Sequence, residues 1–179
     1  MLALLASAPE QTWRVEVPLS VNATAPSSNV ETTVMPWLGA RVGQLVPWRG
    51  PGIIDGSPML WGADAAIAVG HVREGTPQVS AARTLAFVEG RGLFAPGRFS
   101  STFSAFVPYA FLGASVGGGL LEVKAFDDAR LRPQLTWGAR AGAGAELQVH
   151  GLTTRLELGA GLRDLRFELT SALAFGVAF

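Results

Sequence analysis

The sequence has no cysteine and a single lysine. Without cysteine there are no disulfides, no thiolate catalysis and no thiolate zinc site. Charge is scarce as well. Asp, Glu, Lys and Arg make up 16% of the 179 residues, against about a quarter in ordinary soluble domains. Fourteen basic and fourteen acidic side chains cancel. That balance argues against nucleic acid as a partner, because phosphate binding draws on a surplus of Lys and Arg. No run approaches the roughly 18 apolar residues that a membrane helix requires. Yet 49% of the residues are hydrophobic and the mean hydropathy is positive.

What is abundant is small. Alanine contributes 27 residues and glycine 22. Each glycine inside a helix costs about 1 kcal/mol, and eleven prolines add to the case against long helices. An apolar composition without helices has two common explanations. One is a soluble β-protein with a large core. The other is a transmembrane β-barrel, which hides its apolar residues by alternation.

Met1–Ala8 (MLALLASA) reads as the tail of an export signal. Leu2, Leu4 and Leu5 resemble the end of an apolar h-region, and Ala6-Ser7-Ala8 fits a small-x-small cleavage site. The expected organisation is a residual signal peptide over 1–8 and one β-barrel domain over 9–179.

Period two dominates that domain. Trp13, Val15, Val17, Leu19 and Val21 alternate with Arg14, Glu16, Pro18 and Ser20, giving one greasy and one polar face. Leu38, Ala40 and Val42 face one way, and Gly39, Arg41 and Gly43 the other. Trp61, Ala63, Ala65, Ile67 and Val69 alternate with Gly62, Asp64, Ala66, Ala68 and Gly70. The final third is clearest. Leu135–Val149, Leu156–Leu162 and Phe167–Phe179 alternate large or alanine residues with Gly and isolated charges, around a tight turn at His150-Gly151. By this parity Ala141 faces outward and Gly142 inward. About eight strands are expected, near 12–22, 34–47, 58–72, 79–91, 101–117, 133–149, 152–163 and 166–179. Gln78–Arg91 has no cleanly apolar face. Pro108 is expected at a bulge or an unpaired position, and Phe126–Arg132 (FDDARLR) reads as a charged loop.

The polar face decides between the two explanations. A sheet facing water is normally rich in Lys, Glu and Thr. Here it is Gly and Ala punctuated by single charges, among them Arg41 and Asp64, which suits a narrow enclosed lumen. An eight-stranded barrel is wide enough only for its own side chains, and buried charges must pair. Arg140, Glu146, Arg155, Glu157, Arg163 and Glu168 are therefore expected to form one lumenal network. With both termini on the periplasmic side, Trp13, Trp48 and Trp61 fall at one rim and Trp37 and Trp137 at the other, as an interfacial aromatic girdle would. The fold expected is a closed antiparallel transmembrane β-barrel of about eight strands.

Four segments then resemble the last strands of small OmpA/OmpX-like outer-membrane β-barrels: VPYAFLGASVGGG (107–119), LTWGARAGAGAELQV (135–149), TTRLELGAGLR (153–163) and FELTSALAFGVAF (167–179). In that resemblance Phe179, with Phe175 and Leu173 behind it, looks like the C-terminal signal read by the barrel-assembly machinery. It implies the outer membrane of a Gram-negative-type cell, with the bilayer and lipopolysaccharide as surroundings and a monomeric state.

No reactive constellation is visible. His71 and His150 lack a certifiable acid-and-serine arrangement, with Ser80 and Asp64 candidates only by proximity. Gly117–Gly119 lacks the lysine and helix of a phosphate loop. Asp127-Asp128 is a lone acidic pair. No cofactor, metal or catalytic residue is expected. The reading is a non-enzymatic outer-membrane protein with a structural, adhesive or minor pore role and a largely plugged lumen. One alternative is a soluble or periplasmic lipocalin-like barrel with its apolar face turned inward. Another is a small membrane enzyme that modifies lipid.

Overall fold

In the computed structural model, which describes residues 12–24, 33–48, 57–75, 79–126 and 128–179, alternation has produced strands wherever it is strong. They are β1 (Thr12–Thr24), β2 (Thr33–Pro47), β3 (Leu60–Gly75), β4 (Val79–Ala95), β5 (Phe99–Ser100), β6 (Ser104–Ala125), β7 (Asp128–Val149), β8 (Leu152–Arg163) and β9 (Arg166–Ala178). All pairings are antiparallel and follow the chain. The ring closes because β4 pairs with β6 and β1 with β9. The short β5 pairs only with the start of β6. Eight staves thus form a closed antiparallel β-barrel. Closure removes the exposed edges that an open sheet would leave. Residues 1–8, the expected export signal, lie outside the described residues.

Register fixes the stagger. A circuit from Arg14 passes through Gly43, Asp64, Arg91, Gly113, Arg140, Gly161 and Glu168, and returns to β1 at Thr24, ten residues on. Every residue on this circuit shares one face, because side chains alternate strictly along a strand. That face is the inside. The outward face carries Val15, Val17 and Leu19 on β1, Leu38 and Val42 on β2, Ile67 and Val69 on β3, Leu156 and Leu158 on β8, and Leu169 and Leu173 on β9, all exposed. A lipocalin-like barrel, with its apolar face inward, is the reverse of this arrangement.

The ends differ. The near end carries the start of β1, the end of β9 and the tight turn at His150-Gly151, both residues with positive φ. At the far end the wall made by β3, β4, β6 and β7 stands taller than the rest. β7 pairs with β6 from Asp128 onward but with β8 only from Gly138. The reading of Phe126–Arg132 as a loop is corrected here, since Asp128–Arg132 are strand paired to Leu121–Ala125. This ribbon has no core face and no apolar belt to satisfy, so it shows no alternation to read. Pro108 is paired with Ala145 of β7, but on its other side it lies between the last β4–β6 pair, at Ala110, and the β5–β6 pair at Phe106, so the expected unpaired position is met on one side only. Gly117–Gly119 run through β6 with unbroken pairing on both sides.

Candidate functional site in the lumen

Six arginines and six carboxylates point into the barrel: Arg14, Arg41, Arg91, Arg140, Arg155 and Arg163 against Glu16, Asp64, Glu89, Glu146, Glu157 and Glu168. Parity alone puts them there. Several are direct neighbours across adjacent strands, as with Glu16 and Arg41, Asp64 and Arg91, and Glu146 and Arg155.

Eight of the twelve form one connected cluster in the near half. Arg155 is its hub, with Nε 2.7 Å from Glu146 and 3.0 Å from Glu16, and Nη1 3.2 Å from Asp64. Arg91 grips Asp64 with two bonds, at 2.7 and 2.6 Å, and also reaches Glu157 at 2.8 Å. Arg41 holds Glu157 with two bonds, at 2.9 and 3.1 Å. The Tyr109 hydroxyl donates to the same carboxylate at 2.6 Å. Arg14 pairs with Glu146. Charge-assisted, two-pronged bonds of this kind are the strong class. Not every donor is used, for Arg14, Arg41 and Arg155 each keep a buried nitrogen without a partner.

Of the six charges anticipated from sequence, the structure gathers Glu146, Arg155 and Glu157 into that cluster. Arg163 and Glu168 form a separate pair at 2.7 Å, supported by Asn22 at 2.8 Å. Arg140 instead pairs with Glu89. A single network of these six is therefore corrected to one cluster and two satellite pairs. The stagger is the reason, because it lifts Arg140, Arg163 and Glu168 away from the level of Glu146. Arg14, Glu16, Arg41, Asp64 and Arg91 of the cluster, and Glu89 of the satellite pair, were not anticipated as members, although Arg41 and Asp64 were placed on the polar face. Arg14 and Glu16 meet the final strands only through the β1–β9 closure.

Rings fill the space beside the charges. Leu45, Leu93, Ala95, Val107, Tyr109 and Phe111 form a buried apolar cluster on the wall of β2, β4 and β6. Further up, Met35, Trp37, Ala68, Leu85 and Phe87 form a second. Trp37 meets Phe87 edge to face, with centroids 4.7 Å apart, and the Arg163 guanidinium lies over both rings. The inward glycines receive these bodies. A Cβ on Gly142 would run into the Leu158 carbonyl and stand 2.6 Å from Phe111, and one on Gly144 would stand 2.7 Å from Tyr109.

Trp37 corrects the girdle. Trp13, Trp48 and Trp61 are half exposed towards the near end and Trp137 is half exposed towards the far end, but Trp37 is 4% exposed and lies inside. It shares the parity of Arg41, two pairs of residues away, and parity overrides its position near a strand end. Leu173, Phe175 and Phe179 are exposed on or beside the outer face of β9.

With this interior and exterior in view, the solved structures give a likeness of fold. The chain is similar to Ail, the attachment invasion locus protein of Yersinia pestis. Identity is 13%, covering 95% of this chain and 99% of that one, at a TM-score of 0.60. A second Ail structure, in complex with the heparin analogue sucrose octasulfate, superposes at 0.59 with 12% identity and the same coverage. The N-terminal β-barrel domain of Pseudomonas aeruginosa OprF follows at 0.49, with 13% identity over 93% of this chain and 97% of that one. No family model and no curated protein matches the sequence. The fold is that of the small outer-membrane β-barrels.

The remaining candidates do not assemble. His71 lies on the outer face, with Nδ1 2.8 Å from the Thr84 hydroxyl, while Ser80 is buried and next to Arg73. Asp64 is inside and held by Arg91 and Arg155. His150 stacks on Phe103 with centroids 5.5 Å apart. Asp127 lies outside the described residues, and Asp128 pairs with Arg130 on the exposed ribbon. Among the described residues no group of three His, Asp or Glu stands close enough together to hold a metal ion.

Proposed function

We propose that the chain is an outer-membrane protein of a Gram-negative-type cell. Its barrel serves as a closed anchor, and its work is structural or adhesive contact at the far rim. The observation that carries this reading is the inversion of polarity. Charged side chains line the inside and Val, Leu, Ile and Phe cover the outside. An exterior of that kind is stable against hydrocarbon and not against water. The near end, with both ends of the sheet and the tight His150-Gly151 turn, faces the periplasm. The far end faces out through the lipopolysaccharide leaflet. Leu173, Phe175 and Phe179 are the surface that the barrel-assembly machinery reads, and the protein is a monomer.

The interior argues for contact rather than transport or catalysis. Charges tied into pairs and rings packed among them leave an eight-stranded barrel no continuous water path. The tall wall of β3, β4, β6 and β7 then offers the outermost surface. Attachment, the role in the name of the Yersinia barrel of like fold, is the role this surface suits.

Two measurements test the reading. In cell fractionation the protein should stay with the outer membrane through a urea wash and show heat-modifiable gel mobility. Recovery as a soluble monomer from the periplasm would sink the location. Cells carrying a form with Leu121–Arg132 replaced by a short turn should lose adhesion to host-cell matrix while keeping heat-modifiability. Unchanged adhesion would remove the assigned role.

A further inference from the structure

Above the Trp37–Phe87 layer, the far mouth of the barrel holds a cavity of about 620 Å³. Arg83 from β4, Arg163 from the end of β8 and Arg166 from the start of β9 all line it. Arg163 and Arg166 are direct cross-strand partners, and Arg83 lines the same cavity wall. Like charges set opposite each other destabilise a sheet, so this cluster calls for negative charge among its members.

Two carboxylates among the described residues nearby, Asp164 and Glu168, are already engaged. Asp164 Oδ1 accepts the Trp137 N–H at 2.9 Å and Oδ2 accepts the Thr136 hydroxyl at 2.9 Å, with Arg83 at 3.6 Å. Glu168 accepts from Arg163 Nε at 2.7 Å and from Asn22 at 2.8 Å. Glu74, exposed at the rim, is a third carboxylate on the cavity wall. Arg163 Nη1 is buried without a hydrogen-bond partner, on a guanidinium that lies over the Trp37 and Phe87 rings. Arg166 forms no ion pair among the described residues.

We propose that this mouth binds a phosphate monoester carried on a polar, sugar-sized body. Guanidinium forks match phosphate oxygens two at a time. Gln134 already accepts from Arg83 Nε at 2.8 Å through its oxygen, which leaves its amide N–H groups to donate. The hydroxyls of Thr24 and Thr33 line the same space. Donors outnumber acceptors, which suits a ligand rich in acceptor oxygens, and the cavity is larger than a bare anion needs. The ester could be the phosphorylated headgroup of the surrounding lipopolysaccharide or a soluble sugar phosphate. The site depends on the fold and not on the adhesive role.

The test is phosphorus NMR of glucose 6-phosphate titrated with the full chain, refolded in uncharged, phosphate-free detergent at fixed ionic strength. The wild type should broaden the signal saturably. Arg166→Gln and Arg83→Gln should each weaken binding about tenfold, the loss of one charge-assisted contact. Arg166 is an exposed rim residue outside the lumenal cluster, so its variant should fold, as heat-modifiable mobility will read. Arg130→Gln, on the ribbon outside the cavity, should bind as the wild type does. The proposal is overturned by an absence of saturable binding, by wild-type binding in folded Arg166→Gln, or by an equal loss in Arg130→Gln. Competition then assigns the source. Displacement by lipopolysaccharide but not by its dephosphorylated form points to the headgroup, and displacement by neither points to the soluble ester. Equal displacement by both would overturn phosphate recognition.

Discussion

Arg155 shows how much depends on single side chains in this interior. It is 1% exposed and within salt-bridge reach of Glu16, Asp64, Glu146 and Glu157. Arg155→Gln leaves buried carboxylates short of a cation. Breaking a buried pair from one side costs about 3–5 kcal/mol, and a comparable fall in stability is expected by urea unfolding in detergent. Arg130→Gln breaks only an exposed pair with Asp128 and should change stability by about 1 kcal/mol or less. Equal effects would mean that the lumenal charges are hydrated like surface ones. Positions 141 and 142 give a second comparison. Ala141→Arg sets a charge in the apolar belt, at about 2–4 kcal/mol. Gly142→Ser looks mild from sequence, as a small polar residue on a polar face. The structure places the Leu158 carbonyl and the Phe111 ring against that position, so overpacking should cost about 1–3 kcal/mol, and Phe111→Leu should recover only the share that falls on the ring. If Gly142→Ser is neutral by urea unfolding, the close approach of Phe111 and the β8 backbone to position 142 is wrong. Parity made the facing of both residues legible. The cost at 142 was not, because its neighbour comes from another strand.

Elements were legible where one face had to be apolar. β8 and β9, which alternate from end to end, match their expected bounds to within a residue. The expected strand over 79–91 offered no clean apolar face. On β4 the inward positions include Leu85, Phe87 and Leu93 and the outward ones include Gly90 and Gly92, so hydrophobicity partly inverts and hides Glu89 and Arg91. The tall ribbon of β6 and β7 was misread for a different reason, since it stands where neither core nor belt imposes a pattern. That geometry has a dynamic consequence. From Asp128 to Thr136, β7 is paired on one side only, whereas Gly138–Val149 are paired on both. Hydrogen exchange followed by mass spectrometry should find peptides over 128–136 exchanging well before those over 139–147, in line with local stability that varies across a structure. Uniform protection along β7 would show that something covers the open edge.

At the scale of the whole molecule, neutrality is built twice. The chain has no net charge, and six lumenal arginines face six lumenal carboxylates. An interior that is neutral and paired favours neither sign of ion, and its two apolar clusters add rings that water does not wet. Planar-bilayer recordings of the refolded wild type should therefore show no stable conductance of porin size. Trp37→Ala alone should stay silent, because the charge cluster around Arg155 and Glu157 still closes the near half. A form combining Trp37→Ala, Phe111→Ala, Arg91→Ala and Glu157→Ala removes one ring from each apolar cluster together with a matched pair, and leaves the net charge unchanged. That form should conduct, though weakly, since eight staves enclose little space even when the side chains are cut back. A steady porin-size current through the wild type would overturn the closed-anchor reading. Silence from the four-site variant, folded by heat-modifiable mobility, would place the block in residues other than these.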